Sequence, residues 1–163
     1  MFDQDLTDLA TQVLQAFERR GKMLATAESC TGGLITGVLT AIAGSSSVVE
    51  RGFVTYTNEA KMEMLGVTPA LFPDVGAVSS EVAREMAAGA VAHSRADIAV
   101  AVTGVAGPGQ SERKPAGLVY IGTCKRGEEP VAHEFQFTGD RNNVRRQAVV
   151  EALTLAMKVV SEG

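Results

Sequence analysis

Hydrophobic and polar positions follow two rhythms along this chain. Leu6, Leu9, Val13, Leu14 and Phe17 recur at three- and four-residue spacing and stop before Gly21, which predicts an amphipathic helix over residues 6–20. Residues 23–29 (MLATAES) then read as a short strand, and residues 32–42, opened by Gly32 and Gly33, as a helix. After a loop at 43–47, residues 48–57 predict a strand and 58–65 a short helix with Asn58 as its N-cap. Residues 80–94 predict a helix capped by Ser79 or Ser80. The run DIAVAVTG at 97–104 is short, apolar and β-branched, the type of strand buried on both faces. Residues 105–117 carry too much Gly, Pro and charge for anything but a long loop. Residues 118–125 and 131–137 flank RGEE as a hairpin, and 139–160 close as a helix. Strands interleaved with helices predict an α/β fold, a three-layer α/β/α sandwich on a mixed, mostly parallel sheet.

Composition narrows the function classes. With 163 residues, 45% of them hydrophobic, the chain has the size for one core, and no linker or repeat divides it, so a single domain over 1–163 is expected. A net charge of −4 argues against a nucleic-acid partner held through phosphates. No apolar run is long enough to cross a bilayer, so no membrane partner is expected. The start, MFDQDL, lacks the basic-then-apolar order of an export signal. Cys30 and Cys124 form no metal-type pair and read as reduced thiols, which places the chain in the cytoplasm. No CxxC, HExxH or acidic metal loop is present, so neither a metal nor another cofactor is expected. A homo-oligomer is the default for a small enzyme of this kind.

The chemistry concentrates at TAESCTGGLI, residues 26–35. A Gly pair opening a helix after a strand can serve as a tight turn only, or can present free N–H groups to an anion or a developing oxyanion. Cys30, Thr31, Gly32 and Gly33 are the candidates for such donors, and Ser29 or Cys30 for a nucleophile beside them; the residues alone do not choose between the two. Activation is the harder requirement, because His93 and His133 are the chain's only histidines and both read as helix-end or hairpin residues. A lysine of lowered pKa can stand in for histidine. Lys61 would sit in the first turn of its helix, where the dipole disfavours a cation, with Leu65 one turn on to draw the amine over apolar surface. An exposed surface lysine is the plainer alternative. Tyr56 could donate a hydrogen bond into the same space, and Thr103 with Gly104 sits where α/β sheets open their ligand crevice. In the last helix, Arg141 and Arg145 fall on the face of Ala148, Val149, Ala152, Ala156 and Val159, while Arg146 points away. Two guanidinium groups on a core-facing stripe imply an anionic partner, either a protein carboxylate or a substrate phosphate.

AESCTGGLI, AGSSSVVERGFVTYTNEAK, GAVSSEVAREMA, VTGVAGPG, KPAGLVYIG and FTGDRNNVRRQA occur in this order over nearly the whole chain, which resembles the CinA C-terminal domain family, the bacterial nicotinamide-nucleotide amidases, in their stand-alone form. The resemblance implies hydrolysis of the carboxamide of nicotinamide mononucleotide to nicotinate mononucleotide and ammonia, in pyridine-nucleotide salvage, with that small nucleotide as the partner. It also implies Ser29 as nucleophile, Lys61 as base and Tyr56 as a supporting hydroxyl. Arg145, with Arg141 and the hydroxyls of Ser45 and Ser46, would clamp the phosphate. The rival readings are a non-catalytic nucleotide-sensing module and a Cys30 thiol hydrolase.

Overall fold

The computed structural model describes residues 1–162, which form five strands and six α-helices. The strands are β1 (Leu24–Glu28), β2 (Val49–Val54), β3 (Ile98–Gly104), β4 (Leu118–Lys125) and β5 (Val131–Gln136). The helices are α1 (Gln4–Arg20), α2 (Leu34–Thr40), α3 (Asn58–Leu65), α4 (Leu71–Asp74), α5 (Ser80–Ala92) and α6 (Arg141–Ser161). The sheet order is β2-β1-β3-β4-β5, with β1 parallel to β2 and β3, and β4 antiparallel to both its neighbours. β4 alone therefore runs against the other four strands. The four-residue helix α4 carries a proline, and the sequence pattern did not predict it.

Two cores give the sandwich its layers. Leu24, Val100, Val102, Val119 and Ile121 face α1, α2 and α6, through residues such as Val13, Phe17, Ile35, Val149 and Leu153. The opposite face offers Ala25, Ala27, Ala99 and Ala101 to Val82, Met86 and Ala87 of α5 and Leu65 of α3. That second face is built from small side chains because α5 lies close on the sheet. A Cβ at Gly122 of β4 would stand 2.3 Å from the Ala83 carbonyl oxygen. Bulk on this face would push the helix off.

Caps fix the helix starts. Asp3 accepts from the Leu6 amide, Ser79 from Val82 and Asp140 from Asn143. For α3 the cap is Thr57, which accepts from the Ala60 amide, and Asn58 is the first helical residue rather than the predicted cap. The shift leaves Lys61 in the helix's first turn, with its side chain and that of Leu65 both buried.

The parallel order has one consequence for the site. The turn after β1, the segment after β2 and the loop after β3 leave from the same edge of the sheet. Residues 45–47, a single 3-10 turn, precede β2 and lie at the other edge, where Leu24 opens β1 by donating to the Val48 carbonyl.

Candidate active site

The strand β1 ends on Glu28, whose carboxylate is fully buried in a strand whose five residues are all buried. It receives four hydrogen bonds: the Thr31 hydroxyl at 2.7 Å, and the amides of Gly33 at 3.2 Å, Ile35 at 2.9 Å and Thr36 at 3.0 Å. A buried carboxylate needs such donors, and the exposed amides of a helix N-terminus need an acceptor. Glu28 supplies the second need and so anchors the start of α2. Between strand and helix, Gly32 and Gly33 take left-handed backbone angles, φ 58° and 103°, that side-chain-bearing residues avoid.

Ser29 lies in this turn, nearly buried, and Lys61 reaches it from α3. The Lys61 amine is 2.9 Å from Ser29 Oγ, 3.0 Å from the Thr55 carbonyl oxygen and 3.1 Å from that of Tyr56, with the Thr57 carbonyl at 3.5 Å. Lys61 is 1% exposed. Burial lowers its pKa to about 8, against smaller opposing effects of Cys30, Glu112 and Glu59. In the neutral amine two N–H groups satisfy the Thr55 and Tyr56 carbonyls, which leaves the lone pair for the Ser29 proton. Burial acts oppositely on the neighbouring thiol and pushes Cys30 up to about 11. A thiol held protonated is a poor nucleophile. The geometry therefore separates Ser29 from Cys30, which residue type alone did not.

Ser29 and Lys61 open into a cavity of about 450 Å³ walled by Tyr56, residues 77–78, residues 103–112 and Arg141. Thr103 and Gly104 line it, with the Thr103 hydroxyl donating to the Ala77 carbonyl at 2.8 Å. Neither His93 nor His133 does; His93 Nδ1 lies 2.8 Å from the Gly89 carbonyl at the end of α5. Among the described residues no group of three His, Cys, Asp or Glu is placed to hold a metal ion.

These residues match the CinA C-terminal domain model over positions 6–160. The chain belongs to the CinA C-terminal domain family. It is 50% identical to the nicotinamide-nucleotide amidohydrolase PncC of Escherichia coli strain K12, over 94% of this chain and 93% of that one. It is 45% identical to a putative competence-damage inducible protein of Caldicellulosiruptor saccharolyticus, over 96% of this chain but 38% of that longer protein. Among solved structures, the competence/damage inducible protein CihA of Agrobacterium tumefaciens superposes with a TM-score of 0.93 at 48% identity, each chain covered to 99%.

Against this CinA-type site four sequence expectations need revision. Ser45 and Ser46 sit at the opposite sheet edge and line no part of the cavity, because they precede a parallel strand while the site follows one. Tyr56 meets the dyad through its carbonyl oxygen, not its hydroxyl; its side chain stands at the rim, 61% exposed. Among the described residues Arg145 pairs with no carboxylate, and it does not line the cavity. Its guanidinium donates to the carbonyls of Cys30 at 3.1 Å and Thr31 at 3.3 Å, bracing the turn from behind, while Arg141 lines the cavity and donates to the Gly107 carbonyl at 2.6 Å. Lastly, the turn's amides are not all free. Gly32 donates to the Ser29 carbonyl and Gly33 to Glu28, whereas the amides of Cys30 and Thr31 donate to no other residue among those described.

Glu28 and the brace of Arg145 were not read from the sequence. A glutamate closing an apolar strand directly before a glycine-opened helix was the available signal for the first.

Proposed function

We propose that this chain is a nicotinamide-nucleotide amidohydrolase that opens the carboxamide of nicotinamide mononucleotide with Ser29 as nucleophile and Lys61 as its base. The observation that carries the reading is the 2.9 Å contact of the Lys61 amine with Ser29 Oγ, made by a buried lysine whose pKa is lowered to about 8. The activity is the one named for the E. coli PncC relative, which is covered almost end to end.

The chemistry follows from the donors. Neutral Lys61 takes the Ser29 proton as Oγ attacks the amide carbon. The oxygen that gains charge is held by the Cys30 amide, the donor adjacent to the nucleophile that has no partner within the turn. The Lys61 ammonium then returns its proton to the departing nitrogen, ammonia leaves, and Ser29 carries the nicotinoyl ester. Water enters by the same route: Lys61 accepts its proton, and the acid is released as Ser29 recovers its own. Carbonyls of Thr55, Tyr56 and Thr57 stabilise the transient ammonium throughout. Arg141 is the cavity's remaining cation and is assigned to the substrate phosphate; Arg145 acts on the turn.

A cytoplasmic location and a homo-oligomeric state belong to this proposal. The first is supported by two buried free cysteines, and the second by the unpaired outer edge of β2, where Val54 is exposed beside the site. Among the described residues no helix is long and apolar enough to cross a membrane.

The test is direct. Purified protein incubated with nicotinamide mononucleotide should release ammonia and nicotinate mononucleotide in equal amounts. Binding of the nucleotide with no ammonia release would favour the sensing module instead.

A further inference from the structure

Glu112 is the one acidic residue lining the cavity that holds Ser29 and Lys61. Its position is costly. Glu112 and Arg113 both adopt left-handed backbone angles, φ 53° and 65°, without being glycine. The carboxylate is fixed by the amides of Ala77 at 3.1 Å and Val78 at 3.2 Å, and a Cβ at Gly76 would stand 2.9 Å from its Oε1. Lys114 completes the grip by donating to the carbonyls of Val75 and Val78, yet it does not line the cavity and its amine is 3.9 Å from Glu112. The amides orient the carboxylate without cancelling its charge, and the Lys114 ion pair, long at 3.9 Å and outside the cavity, offsets that charge only in part. That charge reaches the dyad, where it helps Lys61 hold its proton.

A carboxylate on the wall of a site that must accept a phosphate is unfavourable unless the ligand also carries positive charge. Nicotinamide mononucleotide does: its ring nitrogen bears the ribose and is permanently cationic. We infer that Glu112 is a specificity-determining residue, whose carboxylate selects carboxamides on a cationic aromatic ring over the same amides on a neutral ring. The inference rests on the amidase reading and adds the substrate's charge class to it. The cavity then offers the substrate a nucleophile for its amide, a negative wall for its ring and Arg141 for its phosphate.

The experiment measures binding of nicotinamide mononucleotide and of its 1,4-dihydro form, whose ring is neutral and whose phosphate is unchanged, to the Ser29→Ala protein, alone and combined with Glu112→Gln or Glu112→Asp. Glu112→Gln should weaken binding of the cationic nucleotide about tenfold, equivalent to about 1.4 kcal/mol, and change the dihydro form less than about twofold, well inside that interval. Glu112→Asp should keep the preference for the charged ring even if both affinities fall. Equal losses for the two ligands with Glu112→Gln, or no loss for either, would overturn the inference, as would an Asp variant as blind to ring charge as the Gln variant. Ammonia release by the unsubstituted enzyme is followed in parallel. Its absence would strike at the amidase reading, whereas equal losses for the two ligands, or none, with Glu112→Gln would strike only at this assignment.

Discussion

Lys61 Nζ and Ser29 Oγ stand 2.9 Å apart although 32 positions separate them in sequence. The parallel pairing of β1 with β2 makes the meeting possible, since it brings the turn after one strand beside the segment after the other. Burial of the Lys61 side chain then removes much of the water that would keep the amine charged. Fold and chemistry meet in this one contact.

The nucleophile assignment predicts a sharp contrast between neighbours. Ser29→Ala should lower kcat by at least about a thousandfold, the scale of losing a covalent nucleophile. Cys30→Ala should keep most of the activity, because a thiol pushed up to about 11 takes no part in attack. Ammonia release by the two variants checks this, and the reverse ranking would move the reaction to the thiol.

The lysine makes a coupled prediction about stability and pH. Lys61 falls from its ordinary 10.5 to about 8 on folding. Between those values the unfolded chain holds a proton that the folded chain has lost, so stability rises with pH across this window and carries the full cost of burial below about 8. The cost is on the order of 3 kcal/mol. Lys61→Met, with similar bulk and no charge, should therefore be inactive, and its melting temperature relative to the unsubstituted protein should be highest at pH 7. That advantage should shrink as pH approaches 10. A constant difference across the range would mean that the amine is not depressed.

Glu28 is predicted to be structural support for the nucleophile. Glu28→Ala removes the acceptor for three helix amides and a hydroxyl at a fully buried position. The loss should be about 3 kcal/mol or more, the range for stranding buried polar groups. Denaturant titration measures it, and an unchanged midpoint would show that α2 finds another cap.

The two arginines should separate kinetically. Arg145→Ala frees the carbonyls of Cys30 and Thr31 and should lower kcat about tenfold or more at nearly constant KM, since a loosened turn misplaces nucleophile and donor alike. Arg141→Ala should raise KM, with the smaller effect on kcat. Steady-state kinetics of both variants provide the check, and a KM effect confined to Arg145 would return the phosphate to that residue.

Much of this was legible in the residues, for identifiable reasons. The 3.6-residue rhythm placed the helices, and the scarcity of histidine directed attention to Lys61, whose spacing from Leu65 matched the buried face that the structure has. Ser45 and Ser46 misled because proximity in sequence does not say which edge of a parallel sheet a residue occupies. Arg145 was assigned an anion because guanidinium groups on an apolar stripe usually need one, but a glycine turn exposes carbonyls that serve as well. Glu112 was hidden inside a loop whose composition signalled only irregularity, and its left-handed backbone has no sequence signature when the residue is not glycine. Tertiary contacts decided each of these cases, and local pattern does not encode them.

The central claim is that a neutral amine at Lys61 deprotonates Ser29, and the titration of that amine tests it most directly. Heteronuclear NMR of lysine-labelled protein, with the Lys61 resonance assigned by its loss in Lys61→Met, should show one amine titrating near 8, coincident with the rise of kcat/KM. A Lys61 amine that titrates near 10.5 while activity is already full at pH 7 would contradict the account.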